Sequence, residues 1–158
     1  MVTVERFGER EISGSGAPAA APEQDFGLGR GKVLIVEDDE HIAELLRYWF
    51  HRAGFVARIA ADGLAACRMV ERERPDVMLL DLMLPGLDGR EVCRRIRRHH
   101  DPRIAGTPII MLTALSSRED KASGLLLGAD LYITKPYSVR DVLNAAKGVL
   151  GRRRPPAG

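Results

Sequence analysis

VLIVEDDE, Val33 to Glu40, decides how the rest of the chain is read. Its four apolar residues fit a buried strand. Three carboxylates follow at once, Glu37, Asp38 and Asp39. Two carboxylates ~5 Å apart at an effective dielectric of ~20 repel by ~3 kcal/mol. A chain that leaves its core into crowded acids needs something there to offset the repulsion.

Outward from this stretch the hydrophobic period switches regularly. Ile42, Leu45, Leu46, Trp49 and Ala53 recur at helical spacing, and Gly54 follows as a helix stop. FVARIA (55–60) reads as a strand, LAACRMVERER (64–74) as a helix ended by Pro75, and DVMLLD (76–81) as a buried strand. DGREVCRRIRRHH (88–100) reads as a helix with Asp88 and Glu91 at capping-box spacing. PIIMLT (108–113) is a strand, SREDKASGLLLG (117–128) a helix, LYIT (131–134) a strand and SVRDVLNAAKGVLG (138–151) the last helix. In that helix Val139, Val142, Leu143, Ala146, Val149 and Leu150 are expected to face inward.

Strict strand–helix alternation predicts an α/β fold, a doubly wound five-stranded parallel sheet with helices on both faces. The continuous apolar strands agree, since parallel sheets are buried on both sides. The expected strand order is 2-1-3-4-5, the flavodoxin-like arrangement, with ligands beyond the carboxyl ends of the first and third strands. The ordered domain is expected over residues 32–152. Residues 1–31, with the small and Pro/Gly-rich SGSGAPAAAPE, read as a flexible N-terminal extension, and 153–158 as a basic, proline-closed stub.

The 158 residues allow one domain with a real core. A net charge of +2 argues neither for nor against a nucleic-acid surface. Cys67 and Cys93 lack C-x-x-C spacing and read as free thiols in a reducing compartment. No apolar run reaches the ~18 residues of a membrane span, and the charged start, MVTVERFGEREISGSG, has no signal-peptide core. A cytoplasmic protein without a membrane partner is expected. GLGRGK (27–32) looks like a phosphate loop but precedes a strand, whereas the dinucleotide fingerprint follows one, so it reads as linker. Arg94, Arg95, Arg97 and Arg98 read as a solvated helix face.

At the carboxyl ends of the strands stand Glu37-Asp38-Asp39, Asp81, Thr113 and Lys135-Pro136. Oxygen donors without His or Cys suit a hard cation such as Mg²⁺, which would also remove the repulsion. Asp39 suits a helix N-cap as well as it suits a metal. A carboxylate beside Mg²⁺, with a Lys and a Thr ready for anionic oxygens, suits phosphoryl transfer to that carboxylate.

VLIVEDD, LLDLMLPGLDG, IIMLTA and GADLYITKPY, in this order, strongly resemble the receiver domain of bacterial two-component response regulators, over about residues 32–151. The resemblance implies that Asp81 is the phosphoacceptor, taking a phosphoryl group from a phosphohistidine on a sensor histidine kinase or phosphotransfer protein. It implies Mg²⁺ held by Asp38, Asp81 and the Met83 backbone carbonyl, with Glu37 acting through a metal-bound water. Lys135 then contacts the phosphoryl group, the Lys135-Pro136 peptide is cis, Thr113 is the switch hydroxyl and Tyr132 the switch aromatic. Pro85 and Gly89 fall at family positions in the loop after the phosphorylated strand. The protein is thus expected to be no enzyme beyond its own phosphorylation and dephosphorylation.

Two departures from the family stand out. Met83 and Leu115, at positions that tune phosphate lifetime, are apolar, and slow self-dephosphorylation is expected. Leu131 and Ala145 replace the Asp–Arg pair with which winged-helix regulators dimerise, while Lys121 and Asp141 of another such pair remain. With Leu125, Leu126 and Leu127 nearby, the face of the fourth helix, fifth strand and fifth helix is expected to serve a downstream protein target or a phosphorylation-dependent homodimer. A stand-alone receiver without direct nucleic-acid binding is the expectation. The receiver portion of a DNA-binding transcriptional regulator is the alternative. An aspartyl-phosphate phosphatase is a remote one, because Asp81-Leu82-Met83 lacks the second aspartate of D-x-D.

Overall fold

The computed structural model describes residues 2–6, 11–14, 31–114 and 128–152, with side chains for the last two ranges. Among the described residues twelve elements follow one another: β1 (Val2–Arg6), β2 (Glu11–Gly14), β3 (Lys32–Val36), α1 (Glu40–Arg52), β4 (Val56–Ala60), α2 (Gly63–Glu73), β5 (Val77–Asp81), α3 (Gly89–Arg97), the single turn α4 (Pro102–Ala105), β6 (Ile109–Thr113), β7 (Leu131–Thr134) and α5 (Val139–Arg152). The helix expected over 117–128 lies outside the described residues up to Gly128, as do Leu115, Lys121, Leu125 to Leu127 and the stub 153–158.

The five parallel strands stand in the expected order, β4-β3-β5-β6-β7. Interior β3, β5 and β6 carry continuous apolar runs, 33–36, 77–80 and 109–112, because both faces are covered. Edge strand β4 is less covered: Ala57 and Ala60 are buried, one in each layer, while Val56 and Arg58 meet solvent. One apolar layer joins Ile35, Leu46, Phe50, Leu79, Ile110, Ile133 and Val142 between the sheet and α1 and α5. The opposite layer joins Leu34, Val70, Met78, Leu80, Ile96 and Met111 under α2 and α3.

Four aspartates start the helices. Asp39, Asp62, Asp88 and Asp101 each accept a hydrogen bond from a first-turn backbone N–H, which satisfies donors the helix itself cannot. Asp39 therefore caps α1, accepting from His41 N at 2.9 Å and Ile42 N at 3.2 Å.

Three expectations need correction. Within the stretch read as a flexible extension, β1 and β2 form an antiparallel pair, and β1 adds antiparallel to β7, so among the described residues the sheet has seven strands. The sequence carried this signal. In Val2-Thr3-Val4-Glu5 apolar and polar residues alternate, and only five residues, including Gly8, separate that run from Glu11-Ile12-Ser13. Next, α1 turns Ala43, Leu46 and Phe50 inward, and Leu45 is 50% exposed. The burial of Phe50 against Phe55, with ring centroids 5.2 Å apart, rotates the stripe away from Leu45. Finally, Arg97 is not part of a solvated face. Its guanidinium donates to Gly128 O, Ala105 O and Thr107 O at 2.8, 2.8 and 2.6 Å and to Asp130 Oδ2 at 2.9 Å. Arg94, Arg95 and Arg98 are exposed as expected, the first two beside Glu91.

Candidate functional site

The pairing of β3, β5, β6 and β7 fixes where the polar residues meet. Val36 stands opposite Leu80, Asp81 opposite Leu112, and Thr113 opposite Thr134. The residues just past these strand ends therefore share one edge of the sheet. Carboxylate oxygens of Glu37, Asp38 and Asp81 lie within 4.8 Å of one another; Glu37 and Asp81 are buried and Asp38 is exposed.

The two buried acids are held by backbone as well as by charge. Asp81 Oδ1 accepts from the Met83 N–H at 2.9 Å, and Oδ2 accepts from Lys135 Nζ at 2.8 Å. Glu37 Oε1 accepts from the Asp39 N–H at 3.2 Å. Glu37 Oε2 is buried with no hydrogen-bond partner, and Lys135 Nζ stands 3.9 Å from it.

The electrostatics follow from this crowding. Burial, and then the neighbouring Asp81, push Glu37 up to about 8. Burial works against the Lys135 charge, but Asp81, Glu37 and Asp38 outweigh it and hold the ammonium above its ordinary value. Tyr137, which the sequence reading passed over, carries a buried hydroxyl without a hydrogen-bond partner. Burial, with the charges of Glu37 and Asp81, raises that phenol. An apolar-looking position after Lys-Pro offered no sequence signal that its hydroxyl would come under the field of the acids.

The remaining predicted residues are placed as follows. The Lys135 N–H donates to Thr113 O at 2.6 Å, which ties the end of β7 to the end of β6, and Lys135-Pro136 is cis as expected. Thr113 and Tyr132 are buried, Tyr132 in the second apolar layer. Met83 keeps its backbone at Asp81 while its side chain is 63% exposed. Gly89 has a packing reason: an added Cβ would lie 2.5 Å from Asp81 O and 2.9 Å from Leu82 Cα. Only glycine lets the start of α3 approach the backbone of the Asp81 loop this closely.

The donor set fits a divalent cation. Three carboxylates converge without His or Cys, and one buried oxygen lacks any other partner, the chemistry expected of a hard-ion site such as that for Mg²⁺.

Comparison with known proteins agrees with this geometry. The family model described as "Response regulator receiver domain" matches residues 33–147. The receiver domain of the Francisella response regulator 1452 is 33% identical, with a TM-score of 0.72 over 78% of this chain and 99% of its own. The chemotaxis response regulator CheY4 of Vibrio cholerae is 31% identical, with a TM-score of 0.70 over 76% and 98%. The BeF3-activated N-terminal receiver domain of Klebsiella pneumoniae RstA is 32% identical, with a TM-score of 0.67 over 75% and 97%. A sheet of this order, ending in an acid cluster and a lysine, together with a family match over most of the chain, settles the membership: the chain belongs to the response regulator receiver domain family.

Proposed function

We propose that the protein is the phosphoacceptor of a two-component phosphorelay, with Asp81 taking a phosphoryl group from a phosphohistidine of a sensor histidine kinase or phosphotransfer protein. One observation carries this reading. Asp81 is held by Met83 N–H and Lys135 Nζ inside a cluster whose Glu37 Oε2 lacks a partner. A merely structural carboxylate would not be set among two further acids at their mutual cost.

Asp38, Asp81 and the Met83 backbone carbonyl would hold Mg²⁺, with Glu37 acting through a water. When bound, the ion neutralises the carboxylates and the incoming phosphoryl oxygens. The Asp81 carboxylate oxygen forms the new bond to phosphorus as the bond from phosphorus to the donor imidazole nitrogen breaks. The imidazole leaves with the electron pair and takes its proton from solvent. Lys135, already 2.8 Å from Oδ2, transfers its hydrogen bond to the phosphoryl oxygens and keeps its charge throughout. Thr113 moves its hydroxyl toward the phosphoryl group, and Tyr132 follows as the switch aromatic. The last strand and last helix report the change to a downstream protein.

The protein acts as a signalling domain in the cytoplasm, where Cys67 and Cys93 stay reduced thiols. Among the described residues no helix is long and apolar enough to cross a membrane.

The test is exposure to acetyl phosphate with and without Mg²⁺, read by intact mass and peptide mapping. One phosphoryl group on Asp81, dependent on Mg²⁺ and absent in Asp81→Asn, is the expected result. An unmodified Asp81 in folded protein would overturn the reading.

A further inference from the structure

The hairpin β1–β2 sits where the sheet would otherwise end. β1 pairs with β7 through Val4 opposite Ile133, Glu5 opposite Tyr132 and Arg6 opposite Leu131. It also lies against α5. Under it Leu131 is 2% and Ala145 9% exposed, so the two apolar positions of this face are covered. We propose that the hairpin is an intramolecular cap: it occupies the β7 edge in cis and keeps a second copy of the chain from pairing there.

Three observations support a cap over an incidental contact. The first is hydrogen bonding. As an edge strand β7 would present a row of unpaired N–H and C=O groups, a template for another chain, and β1 takes that row. The second is apolar continuity. Leu131, Ile133 and Ala145 belong to one core layer, and the edge that β1 closes is the edge of that layer. The third is reach. β2 runs parallel to β3, since it is antiparallel to β1 and β1 is antiparallel to β7. The connection from Gly14 must therefore cross five strand spacings, ~24 Å, and return along a strand length. The 17 residues between Gly14 and Lys32 span at most ~58 Å extended, so closure on the same chain needs no tension.

In the capped state the new edge is β2, which like β7 is four residues long. The cap therefore does not shorten the edge; it withdraws the edge that the apolar layer of Leu131 and Ile133 backs.

The experiment uses the full chain. Amide hydrogen exchange over 129–136 is measured together with mass by sedimentation, for wild type and for Val4→Pro. A proline in the middle strand of the hairpin ladder removes the donor to one neighbour, and its fixed φ and ring disturb the strand that both neighbours share. Unchanged exchange in β3 and β5 shows that the parallel core remains folded. The expected result is a monomeric wild type with protected β7 amides. In Val4→Pro the β7 amides not used by β6 exchange at least about tenfold faster, and the mass rises at matched concentration. Four results would overturn the proposal: unprotected β7 amides in wild type, exchange unchanged by the substitution, faster exchange with no rise in mass, or a wild-type dimer with exchanged hairpins. The wild-type arm needs no variant, so it decides even if Val4→Pro fails to fold. Phosphorylation of Asp81, followed separately, tells a failure of the cap from a failure of the receiver reading.

Discussion

Glu37 is the residue at which stability and function pull apart. Its burial beside Asp81 leaves one carboxylate oxygen without a partner, an arrangement that costs the metal-free fold. The sign follows from the raised value. Between the ordinary 4.5 and about 8 the folded state holds a proton that the unfolded state has released, so this contribution to stability falls as pH rises through that window. At about pH 9, in chelator, Glu37→Gln is thus expected to melt higher than wild type, because its amide can donate to Asp81 where the carboxylate repelled it. Mg²⁺ at about ten times its Kd adds ~1.4 kcal/mol to a protein that binds it only when folded. That gain should be clear in wild type and smaller in Glu37→Gln. Thermal melts of both proteins with and without Mg²⁺ check this. A variant that melts lower in chelator, or an equal Mg²⁺ response, contradicts it. The sequence showed these acids because three carboxylates crowd after an apolar strand and a helix cap accounts only for Asp39. It could not show which of them would be buried, since burial depends on β5 and β7 closing over the strand end.

Arg97 carries the corresponding lesson for elements. Sequence spacing puts it in a run of four arginines on α3, and charge alone suggests solvent. The structure turns it instead across the end of α3, where one guanidinium holds the turn after α4 and the approach to β7. Asp130 completes the joint, its Oδ2 accepting from both Arg97 Nη2 and Ile109 N. These partners are 8 to 33 residues away along the chain, so no local pattern announces them. Planar, forked donors suit this task and a lysine ammonium does not. Arg97→Lys should therefore leave buried carbonyls short of donors and cost ~1–3 kcal/mol, measured by urea unfolding. A loss no greater than that of Arg98→Lys, on the exposed side of the same helix, would show that the network contributes nothing. Element identity was legible where the period was long and the caps were aspartates, as in α1, α2 and α3. The facing of α1 was not, because Leu45 and Phe50 are both apolar and only the position of Phe55 chooses between them.

For the whole molecule, the sheet is what makes two apolar layers one domain. The alternation of strands and helices was enough to predict the parallel core and its order. The hairpin was missed although its alternation was readable, because it is short and belongs to no βα unit; where it adds is set by the free edge of β7. The parallel core makes a sharper claim about cooperativity. Ile35 lies in the layer under α1 and α5, Ile96 in the layer under α2 and α3, and β3, β5, β6 and β7 contribute residues to both. Ile35→Val and Ile96→Val should each cost ~0.5–1.5 kcal/mol. The layers lie on opposite faces of the sheet, so the two losses should add to within ~0.5 kcal/mol in the double variant. All three proteins should still unfold in one transition, because neither layer can stay packed once the shared strands separate. The check is urea unfolding followed by fluorescence of Trp49, which packs at the first layer, and by far-ultraviolet circular dichroism. Transitions that separate in the Ile96→Val protein, with the Trp49 signal unmoved, would mean that the layers unfold independently and that the sheet does not join them.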